Sequence, residues 1–322
     1  MQMTRRAALL LLAGAWPAAR ALAADFFDGP VTIVAPFSPG GTADVLARSI
    51  GKELSEKYGQ PFVVENRPGM GGNIGARTVA TARPDGKTLL LGTIGIHSAY
   101  SVYKNLPYDP VKDLQPVCIL GAVPCTVVVN PKLPFNTFKE LLDYARANPG
   151  KLNFGSAGTG SSTHMVGELL QQATGVKFTH VPYKGSSMAM TDLMGGQIDL
   201  MTELATTSIP IIKSGKIRAL AVTSKERSEE LPDLPTVSEL GYPGFDGTGW
   251  FTIATASGVP ENIVQRLNQD INEILHAENM KQTWKGQALA IIGGSEADAR
   301  KFVSEETIKW KKVINVAGIH AQ

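Results

Sequence analysis

Few residues in this chain are suited to covalent or metal chemistry. Two cysteines occur, Cys118 and Cys125, both in apolar surroundings. An exported location permits a disulfide between them, but two buried thiols on or beside a strand fit equally, because sequence does not set a Cα separation. The five histidines (His97, His164, His180, His276 and His320) are scattered, and no His-x-x-Glu-His cluster occurs, so no metal is expected. Excess charge is also missing. The chain has 31 Lys+Arg against 29 Asp+Glu, which offers no general attraction to nucleic acid or anionic lipid. Charged residues make up 19% and hydrophobic residues 43%, the balance of a compact globular protein rather than a disordered one. No fixed-period repeat or low-complexity linker interrupts it, so composition does not mark a domain boundary.

Long apolar runs are confined to the beginning. Arg5 and Arg6 precede an apolar stretch, Ala7 to Ala15, and then Ala21-Leu22-Ala23. A positive start, a short apolar core and a small-x-small tripeptide are the parts of a secretory signal peptide. Gly14 and Pro17 interrupt the stretch, and it is too short to cross a bilayer as a helix. Thr4-Arg5-Arg6 also fits loosely a twin-arginine export signal. Residues 1–23 are therefore expected to be a signal peptide, cleaved near Ala23, with the mature chain soluble in the periplasm. Cleavage removes Arg5, Arg6 and Arg20 and no acid, leaving acids one ahead of bases. The remainder, roughly 300 residues, exceeds one ordinary core and suggests two domains.

Short apolar runs rich in β-branched residues recur at 31–36, 62–65, 88–93, 126–130, 152–155, 179–182, 198–201, 218–223 and 250–254. Such runs suit strands buried on both faces. Helices with recognisable ends lie between them. Thr137-Phe138-Lys139-Glu140 is a capping box. Pro260 suits the first helical position before a stripe of Ile263, Val264, Leu267, Ile271, Ile274 and Leu275. Ser295 can cap the last helix. The alternation predicts an α/β fold with mainly parallel sheets. Pro107-Tyr108-Asp109-Pro110 and Gly241-Tyr242-Pro243-Gly244 are turn-rich segments that suit crossings between domains.

Two glycine-rich loops carry the functional signal. Ala35-Pro36-Phe37-Ser38-Pro39-Gly40-Gly41-Thr42-Ala43-Asp44 follows the first strand and opens a helix. Asn153-Phe154-Gly155-Ser156-Ala157-Gly158-Thr159-Gly160-Ser161-Ser162-Thr163 does the same later and adds hydroxyl donors. A helix start offers free N–H groups and a partial positive charge, a ready anion site. Facing one another across a cleft, the two loops would hold a carboxylate by neutral donors. Neither ends in the Gly-Lys-Ser/Thr of a nucleotide loop. Gly158-Thr159-Gly160 lacks the third glycine of a dinucleotide fingerprint, since Thr163 stands there. Gly155-Ser156-Ala157-Gly158 misses a nucleophile elbow by one residue, which leaves an exported hydrolase using this loop and His164 as the alternative. A carboxylate-sensing adaptor would share the site and differ in partner.

Further segments complete an ordered series. They are Val64-Glu65-Asn66-Arg67-Pro68-Gly69-Met70-Gly71-Gly72-Asn73-Ile74-Gly75, Pro84-Asp85-Gly86-Lys87-Thr88-Leu89-Leu90, His180-Val181-Pro182-Tyr183-Lys184-Gly185, Asp192-Leu193-Met194-Gly195-Gly196 and Arg218-Ala219-Leu220-Ala221-Val222-Thr223. With both loops, the chain resembles the Bug-type extracytoplasmic receptors of tripartite tricarboxylate transporters over essentially its whole mature length. The resemblance implies a type II periplasmic-binding-protein fold: two α/β lobes, a ligand cleft and a two-stranded hinge. Lobe 1 would be 24–126 plus 249–322, and lobe 2 would be 127–248. It implies a monomer that captures a small carboxylate (a di- or tricarboxylate, an aromatic acid or an amino acid) for membrane permease subunits, with no cofactor and no catalysis. Ser38, Gly40, Gly41 and Thr42 would grip the carboxylate from one side, and Ser156, Gly160, Ser161, Ser162 and Thr163 from the other. Thr93, ending a strand at the sheet's carboxyl edge, and Glu203 are further pocket candidates. Two departures from the family pattern, Ile94-Gly95-Ile96-His97 without an Asn-Pro and Glu203 in place of Asp, touch the region expected to shape the far end of the ligand.

Overall fold

A computed structural model describes residues 27–319. The leader expected at 1–23 lies outside them. In chain order the strands are β1 (Val31–Ala35), β2 (Phe62–Asn66), β3 (Thr88–Thr93), β4 (Leu114–Val129), β5 (Asn153–Ser156), β6 (Thr179–Pro182), β7 (Leu200–Leu204), β8 (Arg218–Val222), β9 (Thr248–Ala256) and β10 (Ala290–Ile291). The helices used below are α1 (Thr42–Tyr58), α2 (Asn73–Ala80), α3 (Ile94–His97), α4 (Ala99–Val102), α5 (Phe138–Ala147), α6 (Ser162–Thr174), α7 (Ser186–Gly195), α8 (Ala205–Lys213), α9 (Glu261–His276), α10 (Lys281–Gly286) and α11 (Glu296–Ala317).

The strands form two half-sheets joined through β4. In one, the order is β2-β1-β3-β9-β4; in the other, β7, β5 and β6 continue from β4, and β8 also pairs with β4. β1, β2 and β3 are parallel, as are β5, β6 and β7, whereas β4 and β9 run antiparallel to their neighbours. The sheets are thus mixed rather than mainly parallel. Residues 114–124 of β4 pair with β9, and Cys125 onwards pairs with β7 and β8. This strand was legible only at 126–130, because Pro116, Gly121 and Pro124 read as breakers. Pro116 and Gly121 sit where the register slips against β9, and Pro124 falls where β4 changes partners. A missing N–H does least harm at those places.

The chain returns from β8 to β9 beside that changeover. Thr223 knits the crossing: its N–H donates to the Cys125 carbonyl (2.9 Å), and its hydroxyl accepts from the Cys125 N–H (2.9 Å). The Gly247 N–H donates to the Thr223 carbonyl (2.8 Å). Gly241 to Gly244 lies within this return connection, whereas the turn at Pro107 precedes β4. There Tyr108 is buried and donates to Asn73 Oδ1 (2.6 Å).

Both half-sheets are covered on both faces, which explains their near-continuous apolar strands. Ile33, Leu89 and Leu91 enter one core cluster, while Val34 and Leu90 point to another. Val127 and Val129 do likewise against Val128. Thr137 and Glu140 form the expected capping box of α5, Ser295 caps α11 with Asp298, and Pro260 is the N-cap of α9 rather than its first turn. α11 ties the halves together. Its Glu306 accepts from both Trp250 Nε1 (3.0 Å) and Trp310 Nε1 (2.9 Å), and its Val313 carbonyl accepts from Gln172 of α6 (2.9 Å). Cys118 and Cys125 are both buried free thiols on β4, so no disulfide links them.

One buried acid fastens α1 to α9. Asp270 accepts from the Tyr58 hydroxyl, from Arg266 Nε (2.7 Å) and from Lys57 Nζ (2.9 Å). Burial works against its charge, but these donors outweigh it and lower its pKa. Asp270→Asn should cost about 2 kcal/mol in chemical unfolding, because it leaves charged donors without their anion. The sign with pH follows from the lowered pKa. The contribution is complete above the ordinary aspartate range and fades as pH falls toward the depressed native value. Native and variant proteins should therefore converge in acid; a constant gap down to the lowest pH would refute the assignment.

Candidate functional site

The loop after β1 is shaped by Asp44. Its carboxylate accepts from the Gly40 N–H (3.0 Å), Asn66 Nδ2 (2.9 Å) and Arg48 Nε (3.1 Å). Burial opposes ionisation of Asp44, but those donors prevail and its pKa is lowered. Asn66 also donates to the Phe37 carbonyl (3.0 Å), closing the loop from below. Gly41, the N-cap of α1, offers no side-chain cap, so the first amides of the helix are left for an incoming acceptor.

The loop after β5 is braced from inside. Ser156 is wholly buried, lies 2.6 Å from His180 Nε2, and accepts from the Gly158 N–H (3.1 Å). Thr163 Oγ1 accepts from the Ala157 N–H (2.9 Å), and His164 Nδ1 accepts from the Gly160 N–H (3.0 Å). Ser161 caps α6 through the His164 N–H. His164 stacks on His180 with centroids 3.8 Å apart. Burial, then the neighbouring His164, push the His180 pKa down to about 3, so this pair stays uncharged at His180. A third helix start, Gly185-Ser186 at α7, uncapped like that of α1, joins the two loops.

Gly41, Thr42, Thr93, Ser161, Ser162 and Thr163 line one small cavity between the lobes, together with Ser186. Phe37 and Phe251 supply part of its apolar wall. Its free space is about 20 Å³, room for a water or a carboxylate head. Two hydroxyl oxygens in it, Thr42 Oγ1 and Thr93 Oγ1, are buried without a hydrogen-bond partner. Unpaired buried hydroxyls are rare and call for an explanation, which a bound acceptor would supply.

The other expected residues stand elsewhere. Ser38 touches the turn before α7, its hydroxyl donating to the Lys184 carbonyl (3.2 Å). Ser156 and Gly160 shape the second loop without lining this cavity. Gly40 and Glu203 line an adjoining cavity of about 320 Å³ that shares Ser186 with the first. Glu203 Oε1 accepts from the Thr207 hydroxyl (2.6 Å), while Oε2 is buried without a hydrogen-bond partner. Burial pushes its pKa up to about 7, with Thr207 and Ser186 opposing. Sequence reasoning missed Ser186, although Gly185-Ser186 repeats the strand, glycine, hydroxyl, helix signal of the first two loops. Phe251 carried no such signal.

The lobes meet tightly around these cavities. Tyr103 donates to the Thr159 carbonyl (2.8 Å). A Cβ on Gly71 would stand 2.4 Å from that same oxygen, and one on Gly95 would stand 2.3 Å from the Gly160 carbonyl. His164, the base in the hydrolase alternative, is not paired with Ser156: its Nδ1 accepts from the Gly160 N–H, and Ser156 lies against His180 instead. His97, in the segment that departs from the family pattern, is buried, stacked on Trp250 and beside Thr252 Oγ1 (3.2 Å); burial pushes its pKa down to about 4.

Residues 46–319 match the family model described as the tripartite tricarboxylate transporter family receptor. Protein BugT of Bordetella pertussis is 36% identical over 322 residues, covering 99% of each chain. The structure of R. palustris Rpa4515 with adipate superposes with a TM-score of 0.89 at 40% identity, covering 91% of this chain and 99% of that one. MatC (Rpa3494) from Rhodopseudomonas palustris with bound malate gives a TM-score of 0.85 at 32% identity, covering 89% and 100%.

Proposed function

Because the chain belongs to the tripartite tricarboxylate transporter family of receptors, whose members are periplasmic binding proteins, we propose that it captures a small carboxylate in the periplasm. It then passes the ligand, as a monomer, to the permease subunits of a tripartite transporter. In this reading the lobes divide as 24–126 with 249–322 against 127–248, and the Cys125, Thr223 and Gly247 crossing is the hinge. The observation that carries the proposal is the convergence of three helix starts on one cavity holding the unpaired hydroxyls of Thr42 and Thr93. Neutral N–H and O–H donors at helix starts suit a carboxylate and need no buried cation. The relatives bound to adipate and malate support a dicarboxylate or similar acid as the kind of ligand. Gly41, Thr42, Thr93, Ser161, Ser162, Thr163 and Ser186 would contact the carboxylate, with Ser38, Gly40, Ser156 and Gly160 holding the loops that present them. The protein performs no chemistry on its ligand in this reading: Ser156, the serine paired with a histidine, is wholly buried and does not line the cavity.

Thermal unfolding of ligand-stripped protein against acids and their matching amides tests this. An acid at a hundred times its Kd should stabilise the fold by about 2.7 kcal/mol, and its amide should do almost nothing. Equal shifts with acid and amide, or none with any acid, would remove the carboxylate reading.

A further inference from the structure

A buried acid stands beside the place where a ligand's charge would lie. Glu203, on β7, is wholly buried at the wall of the adjoining cavity, and its Oε2 has no hydrogen-bond partner. Among the described residues lining that cavity, none is a lysine, arginine or histidine. Its chain neighbour Leu204 lines the carboxylate cavity, and Ser186 lines both. A buried carboxyl without a counter-charge favours its protonated form, and a second negative charge nearby favours it further. Ser186 adds a direct link. Its one hydroxyl hydrogen serves either an ionised Glu203 or an acceptor in the cradle, not both at once. A protonated Glu203 brings its own hydrogen and leaves that of Ser186 for the cradle.

The groups packed around Glu203 leave it as the one that titrates near neutrality. β4 brings the Cys125 thiol, which burial holds well above its ordinary pKa, and the Thr126 hydroxyl, which donates to the Glu203 main-chain carbonyl (3.2 Å). α8 brings Thr206 and Thr207, and Lys213 at its far end pairs with Glu230 (2.8 Å). α7 brings Ser186 and Ser187, while its Asp192 accepts from the Tyr183 hydroxyl (2.7 Å). The loop before α1 brings Gly40, held by Asp44, whose carboxylate is paired with Arg48 and has a lowered pKa. His164 lines neither cavity. His97 and His180, pushed chiefly by burial to about 4 and about 3, are uncharged near neutrality.

Resting on the carboxylate reading, we propose that Glu203 is a proton-binding site linked to the carboxylate site, so that each ligand is taken up together with a proton. The proton removes the repulsion between two carboxylates and frees the Ser186 hydroxyl for the ligand. The ligand's charge in turn holds the proton, because linkage between two sites is reciprocal. Burial already pushes the Glu203 carboxyl up to about 7, and a bound carboxylate raises it further. Affinity is therefore complete below about 7 and falls as pH rises through that value.

Calorimetric titration of ligand-stripped protein at about pH 6.5 and about pH 8.5 is the test. The probes are succinate, glutarate, adipate and benzoate, whose own carboxylates are ionised at both. The tightest of them should bind about fivefold or more weaker at the higher pH. At about pH 7.5, titrations in buffers of different ionisation enthalpy should show about half a proton taken up per ligand bound. Glu203→Gln should bind the same probe alike at both pH values, without proton uptake. Native affinity that stays constant within about twofold overturns the proposal. So does a pH dependence that survives undiminished in a folded Glu203→Gln. Absence of binding by any acid at either pH would instead strike the carboxylate reading beneath it.

Discussion

Glu203→Gln should make the unliganded protein more stable, by about 3 kcal/mol above neutral pH and by almost nothing near pH 4. Burial pushes the native carboxyl up to about 7 from its ordinary 4.5. A raised carboxyl pKa means the folded protein keeps a proton that the unfolded chain has already released. Stability from this group is therefore undiminished below the unfolded value, falls as pH rises between about 4.5 and 7, and stays reduced above. Glutamine keeps the shape and the bond from Thr207 but never ionises. The Cys125 thiol feels the Glu203 charge, but burial pushes its own pKa well above its ordinary value, so it does not titrate across this window. Thermal unfolding of both proteins across the range is the measurement. A pH-independent gap between them would show that Glu203 is not carrying a buried charge.

The second large effect is expected on closure. Gly95→Ala should lower ligand affinity by about a hundredfold while leaving the unliganded fold as stable as before. Gly95 belongs to the short helix α3, where alanine is conformationally welcome. Its new methyl would stand 3.3 Å from the Gly71 carbonyl oxygen, a contact that a shift of a few tenths of an ångström relieves, but 2.3 Å from the Gly160 carbonyl oxygen. The Gly160 oxygen is backbone and cannot swing aside. In the proposed division Gly160 belongs to the other lobe, so separation of the lobes relieves this contact and removes one half of the donor set. Small-angle scattering with saturating ligand should show the native protein contracting and the variant staying extended. Unchanged affinity in the variant would mean that the lobes grip the ligand with a gap at this edge.

Much of the fold was legible because it is local. The capping boxes at Thr137 and Ser295 each depend on residues within one turn, and the structure shows both. The β-branched runs located most of the strands, since burial on both faces leaves no room for polar alternation. The glycine loops likewise declared two helix starts. What stayed hidden depends on partners far along the chain. β4 runs through Pro116 and Pro124 because of where β9, β7 and β8 happen to pair with it. Ser156 turned out to brace its loop against His180, a residue brought close by the parallel pairing of β5 with β6.

The sequence by itself determined the α/β character, the ordered motifs of the receptor family and the hydroxyl-rich helix starts, because helix caps and apolar periodicity are settled within a few residues. Tertiary structure alone decided which donors converge, that Ser186 joins them, and that Glu203 lies buried without a counter-charge. Those facts depend on how two lobes approach one another, and a buried carboxyl is written in the chain with the same letter as a solvated one.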